Sequence, residues 1–231
     1  MAKKRIVVIS LGGSLIVPEK INAEFLEKFK KVLLKNTRRY KFIVVCGGGN
    51  IARTYIKGLE QEKTRKKQYF QCLLGISITR TNARFMTYFF GRDANQGMPH
   101  DMKDIENLLK RNDVVFCGAL RYGENETSYG TAAKLAHHFC TDFINLTNVK
   151  GLYEKNPKKF RNAKFIPEIS HKDFYKMVKK VEYEPGQHFI LDQKAAKIIK
   201  KHKIVTFILG PELKNIDNLL NGKHFVGTII G

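Results

Sequence analysis

Two glycine-rich segments, Leu11-Gly12-Gly13-Ser14 and Gly47-Gly48-Gly49-Asn50, each close an apolar run and open a helical pattern. Where side chains are missing, consecutive backbone N–H groups can converge on one oxyanion, and the dipole of the following helix adds to their pull. Two such turns suit two phosphorylated ligands, or one ligand and the phosphate it receives. Arg53 falls one turn into the helix behind Gly47-Gly48-Gly49, where a guanidinium can clamp a phosphate through paired hydrogen bonds. The histidines, His100, His137 and His138 among them, lack metal-ligand spacing. The four cysteines, Cys46, Cys72, Cys117 and Cys140, form no Cys-x-x-Cys pair. Because Cys46 and Cys117 close apolar strands, the set reads as buried free thiols in a reducing compartment.

The elements that must hold these residues alternate from end to end. Ile6–Ser10 and Phe42–Cys46 are apolar almost throughout, as parallel strands covered on both faces should be. Between them Asn22 caps a helix that carries Phe25, Phe29, Val32 and Leu33 and ends near Asn36. A helix follows the second turn, and the chain from Phe70 to Phe90 reads as a long one. Gly91 to Asp101 is a loop, Asp104 to Lys110 a short helix, and Asp113–Cys117 a strand. Gly118 to Gly130 reads as a polar loop before a helix from Thr131 to Phe139. A fourth strand, Asp142–Leu146, meets the polar turn Thr147-Asn148-Val149-Lys150-Gly151, and Leu152 to Pro167 reads as irregular. Ser170 caps a helix to Lys180, Pro185-Gly186 is a turn, and Asp192 starts a helix to Lys201. A strand at Val205–Leu209, a helix at Asn215–Leu220 and a strand at Phe225–Ile230 close the chain. Such alternation predicts an α/β fold with a largely parallel sheet, binding ligands at the carboxyl ends of its strands.

At 231 residues and 43% hydrophobic content the chain can bury a real core, as one domain or two small lobes. The apolar N-terminal run is too short for a signal peptide or membrane span, which predicts a cytoplasmic protein with no membrane partner. A net charge of +21 raises the question of nucleic acid, but the lysines are dispersed. Lys63-Thr64-Arg65-Lys66-Lys67 is the one true cluster, and no aromatics interleave with it to stack bases. Attraction of small anionic substrates is the simpler use of the charge.

Several ordered motifs together resemble the amino acid kinase family. They are Ile9-Ser10-Leu11-Gly12-Gly13-Ser14, Cys46-Gly47-Gly48-Gly49-Asn50-Ile51-Ala52-Arg53, Gly75-Ile76-Ser77-Ile78-Thr79-Arg80, and Thr147-Asn148-Val149-Lys150-Gly151-Leu152-Tyr153. Within that family the likeness is closest to archaeal-type uridylate kinases, and it extends through Asn156-Pro157, the stretch from Asp192 to Lys200, and Gly227-Thr228. The resemblance implies a single αβα sandwich over 1–231, with an acceptor-binding lobe at about 1–145 and an ATP-binding lobe at about 146–231. It implies phosphoryl transfer from ATP, with Mg²⁺, to the 5′-phosphate of UMP, in a homo-oligomer that is a hexamer by analogy, assembled through the long helix after the second glycine turn. Carried over by position, Gly12, Gly13, Ser14 and Gly49 would contact ATP phosphates, and Thr147, Asn148, Tyr153 and Asn156 the base and ribose. Gly47, Gly48, Cys72, Gly118, Thr127 and Ser128 would contact UMP, while Arg53, Lys150 and Ser10 would stand at the transferring phosphate. Since the second pKa of a phosphate monoester is about 6, the nucleophile needs no protein base.

Four positions depart from the family's pattern. Thr127-Ser128-Tyr129 stands where relatives usually have Thr-Thr-Asp, Lys150 replaces an Asp before Gly151, Cys72 replaces an Asp that holds the acceptor ribose, and Ser10 stands where many relatives have Lys. These replacements keep open two alternatives to a UMP kinase. One is a nucleotide binder that has lost efficient catalysis. The other is a kinase of the same fold with a different small acceptor, whose selectivity Arg121, Glu124 and Glu126 would help to set.

Overall fold

The computed structural model describes residues 3–122, 127–157, 160–180 and 191–231. The chain opens with strand β1 (Arg5–Leu11), one helical turn α1 (Gly13–Ile16), helix α2 (Ala23–Asn36) and strand β2 (Tyr40–Cys46). Helices α3 (Gly49–Gly58), α4 (Lys67–Phe90) and α5 (Met102–Arg111) lead to β3 (Val114–Cys117), α6 (Ser128–His138) and β4 (Phe143–Leu146). Three two-residue strands follow, β5 (Leu152–Tyr153), β6 (Phe165–Ile166) and β7 (Glu168–Ile169), then α7 (His171–Lys179) and α8 (Gln193–His202). Strand β8 (Thr206–Leu209), helix α9 (Leu213–Leu220) and strand β9 (Gly227–Ile230) end the chain.

Seven strands join in one sheet in the order β3-β2-β1-β4-β8-β9-β7. The first five run parallel; β9 lies antiparallel to β8, and β7 parallel to β9. Successive residues of a strand face opposite sides, so β1 sends Val7, Ile9 and Leu11 into one core and Val8 into the other. Phe25, Phe29 and Leu33 of α2, Met86 and Phe90 of α4 and Ile216 of α9 cover the first face. Ile105 of α5, Leu135 of α6, Phe174 of α7 and Ile199 of α8 cover the second. The result is the expected three-layer αβα arrangement. The chain leaves β1 towards β2 and returns on the opposite side of β1 with β4, which opens a crevice at the carboxyl ends of β1 and β4.

Asn22, Ser170 and Asp192 cap their helices as the sequence predicts, each side chain accepting a backbone N–H. Some boundaries need correction. The loop from Gly118 ends at Thr127, not Gly130, because the Thr127 side chain accepts the Tyr129 N–H and starts α6 at Ser128. The short helix α5 begins at Met102, capped by Asp101. The stretch from Leu152 to Pro167, read as irregular, contains the antiparallel pair β5–β6. Cys46, Cys72 and Cys117 are buried free thiols, but Cys140 is exposed. It follows α6 with a φ of 49° and points out of the core. The Pro185-Gly186 turn and Glu124 and Glu126 lie outside the described residues. Among the described residues no helix is long and apolar enough to cross a membrane.

Candidate active site

The two glycine turns meet at the carboxyl end of the sheet. The Gly47 N–H donates to the Leu11 carbonyl at 2.9 Å, and the Gly12 N–H donates to the Leu146 carbonyl at 3.1 Å, so the turn after β1 is stitched to β2 on one side and β4 on the other. Gly13 and Gly49 pack backbone against backbone. A Cβ on Gly13 would stand 2.2 Å from the Gly49 nitrogen, and Gly49 itself has a φ of +64°. Glycine at both places is therefore required by space and by conformation. The interlock brings Gly12, Gly13, Ser14, Gly47, Gly48 and Gly49 together, with the N-terminus of α3 opening directly behind them. With the Gly12 and Gly47 N–H groups already donated to carbonyls, the feature of this cradle that can attract an anion is the N-terminus of α3 behind it.

Helix α4 braces this cradle from one side. Asn82 donates from Nδ2 to the Gly47 carbonyl at 2.7 Å. Three residues earlier, the Thr79 hydroxyl accepts the Ala119 N–H at 3.0 Å, and Arg80 donates to the carbonyls of Ala119 and Leu120. One helix thus fixes both the Gly47 turn and the segment after Gly118. Cys72 lies two turns before Thr79 on the same side of α4 and is buried.

On the opposite side of β1, Thr147 is buried and its N–H donates to the Leu209 carbonyl at 3.0 Å. The Asn148 side-chain oxygen is buried with no hydrogen-bond partner among the described residues. Lys150 is exposed in the bend beyond β4, beside Gly210 at the end of β8. Tyr153 belongs to β5, where its ring meets that of Phe165 edge-on at 5.4 Å. Asn156 lies further out and is exposed, accepting the Phe160 N–H on its carbonyl. Tyr153 and Asn156 therefore sit on a hairpin apart from the interlocked turns.

A buried polar group lies between the two sides. Ser10 is fully buried and pairs across the sheet with Asn145 of β4, also fully buried. The Ser10 hydroxyl has no partner among the described residues. A buried hydroxyl left unbonded at the end of a central strand is costly unless a ligand or water completes it. Thr127 donates from its hydroxyl to the Asp192 carboxylate, whose other oxygen accepts the Ala195 N–H at 2.8 Å. Asp192 is fully buried and so ties the first turn of α6 to that of α8. Nearby, Tyr129 has its phenol pushed up to about 12, chiefly by desolvation, with the Asp192 charge adding and the Arg53 charge opposing. Arg53, Tyr129 and Asp192 thus share one electrostatic neighbourhood, although they come from α3, α6 and the start of α8.

Asn82, Thr79, Arg80, Tyr129 and Asp192 escaped the sequence reading as site residues. Asp192 was visible as a helix cap, yet its bond to Thr127 spans 65 positions. No local pattern could have disclosed it.

The arrangement has counterparts among known proteins. The pattern described as "Amino acid kinase family" matches residues 5–210. A uridylate kinase of Thermococcus kodakarensis is 30% identical over 226 residues, covering 97% of this chain and 98% of that protein. The crystal structure of a uridylate kinase from Archaeoglobus fulgidus superposes with a TM-score of 0.82 at 33% identity, over 97% of this chain and 99% of the other. An isopentenyl phosphate kinase structure shares the fold at 16% identity with a TM-score of 0.69, covering 98% of this chain and all of its own.

Proposed function

Because the chain belongs to the amino acid kinase family, we propose that it transfers the terminal phosphoryl group of ATP to the 5′-phosphate of UMP, giving ADP and UDP. The observation that carries this reading is the backbone interlock of Gly12-Gly13 with Gly47-Gly49, which sets two phosphate-type turns side by side. Similarity to uridylate kinases over nearly the full length, at 30–33% identity, supports the choice of acceptor.

In this reading the ATP phosphates rest on Gly12, Gly13, Ser14 and Gly49, and the base and ribose extend past Thr147 and Asn148 towards Tyr153 and Asn156. UMP rests its phosphate on Gly47 and Gly48 and extends along α4 past Cys72, with Gly118, Thr127 and Ser128 on its other flank. The residues up to about 145 then form the acceptor lobe and those from about 146 the donor lobe. The attacking phosphate oxygen is already largely ionised near neutrality, so the protein's task is positioning and charge stabilisation. Arg53 holds the phosphates at the junction, Ser10 offers its buried hydroxyl, and Lys150 adds a positive charge from the donor side.

Mg²⁺ enters as part of the ATP complex. Among the described residues no group of three His, Cys, Asp or Glu side chains could hold a metal ion, and Asp192 is already engaged by Thr127 and Ala195. The nucleotide phosphates are then its principal ligands, a common arrangement for Mg²⁺. The chain also assembles as a homo-oligomer, a hexamer by analogy, through α3 and α4, which expose Tyr55, Phe70 and Tyr88. Light scattering that returned the mass of one chain would refute that assembly.

A coupled ADP-release assay with ATP and Mg²⁺, scanning UMP against CMP, AMP, GMP and other phosphorylated acceptors, tests the reaction. Turnover is expected on UMP and is expected to vanish in Arg53→Ala. Measurable ATP binding without turnover on any acceptor would instead make the chain a non-catalytic nucleotide binder.

A further inference from the structure

We propose that Asn82 is a positioning residue for the acceptor phosphate: by holding the Gly47 carbonyl, it aims the Gly48 N–H at that phosphate. The inference rests on the kinase reading above and concerns a residue of α4 outside the expected set of site residues.

The second glycine turn is a succession of peptide units, and each has its own holder. The Gly47 N–H donates to the Leu11 carbonyl at 2.9 Å, which fixes the first unit to β1. The Gly48 carbonyl accepts the Ala52 N–H at 3.3 Å, which ties the last into α3. Between them lies the unit made of the Gly47 carbonyl and the Gly48 N–H, and Asn82 holds it. The Asn82 Nδ2 donates to that carbonyl at 2.7 Å across 35 positions, and no other group bonds the carbonyl among the described residues. Asn82 is itself buried, three residues beyond Thr79, whose methyl lies 3.7 Å from where a Gly48 Cβ would stand. The bond thus sits inside the contact between α4 and the turn, where little water competes for it.

A trans peptide is planar, and its C=O and N–H point in opposite directions. A carbonyl drawn towards Asn82 therefore turns the Gly48 N–H away from it. That N–H donates to no group among the described residues and belongs to the N-cap of α3, where the helix dipole favours an anion. Glycine makes such a holder necessary. Rotating the middle unit by half a turn would carry the Gly48 φ from −81° to a positive value, which glycine tolerates and other residues resist. The flipped unit would present a carbonyl oxygen, not an N–H, to the phosphate. No stiffer residue can take the place of Gly48, since its Cβ would stand 2.4 Å from the Ala52 Cβ. The turn needs glycine for space, and Asn82 supplies the direction that glycine leaves open.

Asn82→Asp and Asn82→Leu test this, with UMP and ATP affinities read by calorimetry and kcat and KM by ADP release. Asn82→Asp keeps the shape but puts an acceptor where the donor was, so it repels the Gly47 carbonyl. At about pH 7.5 it is expected to raise the Kd and KM for UMP about tenfold, the usual loss for a hydrogen bond to a charged partner. ATP affinity and kcat are expected to change by less than about threefold, because the lost contact binds ground state and transition state alike. At about pH 5.5 a buried carboxyl facing a carbonyl takes up a proton, and its O–H can donate as the amide did. The UMP deficit of Asn82→Asp against wild type is then expected to shrink about threefold, while that of Asn82→Leu stays constant. Equal losses for UMP and ATP, a UMP affinity unmoved by Asn82→Asp, or a deficit as deep at the lower pH would each overturn the inference. A crystal structure of the wild-type chain with UMP gives a reading that needs no variant. The Gly48 nitrogen is expected within hydrogen-bond distance of a phosphate oxygen, and a phosphate seated elsewhere would overturn the inference. UMP bound through the Gly48 N–H without turnover would overturn the kinase reading and uphold this one.

Discussion

Gly13 shows how much of this site is decided by single atoms. A methyl group there would stand 2.2 Å from the Gly49 nitrogen and 2.6 Å from the Gly47 oxygen, and both obstacles are backbone that cannot rotate away. Gly13→Ala must therefore part the two turns. Overpacking at a rigid contact costs about 1–3 kcal/mol. The larger effect is expected on catalysis, since a shift of about 1 Å at a positioning group can cost about a hundredfold. The expected outcome is a folded protein with kcat lowered at least that much; ADP release together with urea denaturation will check it, and near-normal turnover would mean the interlock is not needed for transfer.

At the scale of elements, the Thr127–Asp192 bond is the tie on which the site's second side depends. It serves as cap for two helices at once, because Thr127 caps α6 and Asp192 caps α8. Thr127→Val leaves the buried carboxylate short of one donor and the Tyr129 N–H without its acceptor, for an expected loss of about 2–4 kcal/mol. Urea midpoints should fall at constant m-value and recover in Thr127→Ser; a midpoint unmoved in the valine variant would show the tie to be idle. A second inter-element link gives a pH signature. Asp217 of α9 accepts from Lys35 and Asn36 at the end of α2, and these hydrogen bonds, the Lys35 one foremost, hold its carboxyl below the usual range. The stability it supplies is complete above the unfolded carboxylate value of about 3.9 and is lost as pH falls through its lower folded value. Asp217→Asn should flatten that acid limb of the stability curve, read as urea midpoint against pH, while leaving the trend above pH 5 unchanged.

For the whole molecule, the net charge of +21 is spread over the surface and acts at long range on anions. If it steers nucleotides, kcat/KM for UMP should drop as ionic strength rises from about 0.01 to 0.15 M, where the screening length shrinks from about 30 to 8 Å. The value of kcat should hold, because the bound phosphates contact fixed groups at short range. A kcat/KM indifferent to salt would leave the charge without a part in substrate capture. The sheet gives this field its focus, since five parallel strands deliver their carboxyl ends to one edge and the polar turns collect there.

By itself the sequence determined the long strands and helices and the two glycine turns, but not the two-residue strands β5, β6 and β7. The β-branched runs, the caps at Asn22, Ser170 and Asp192 and the glycine spacing are local, and local sterics and hydrogen bonding act within a few residues. The same locality explains the error at α6. Ser128, Tyr129 and Gly130 carry turn-like types, and what makes them helical is a capping threonine whose hydroxyl is held by an aspartate far along the chain. Cys140 was misplaced for a related reason, since burial is a property of what packs above a residue and not of its type. Only the tertiary structure decided that Gly13 touches Gly49, that α4 fixes both the Gly47 turn and the Gly118 segment, and that Arg53, Tyr129 and Asp192 share one field. Those relations join residues far apart in the chain, such as Asn82 with Gly47 and Thr127 with Asp192, where register and packing of whole elements, not any local pattern, set which atoms meet.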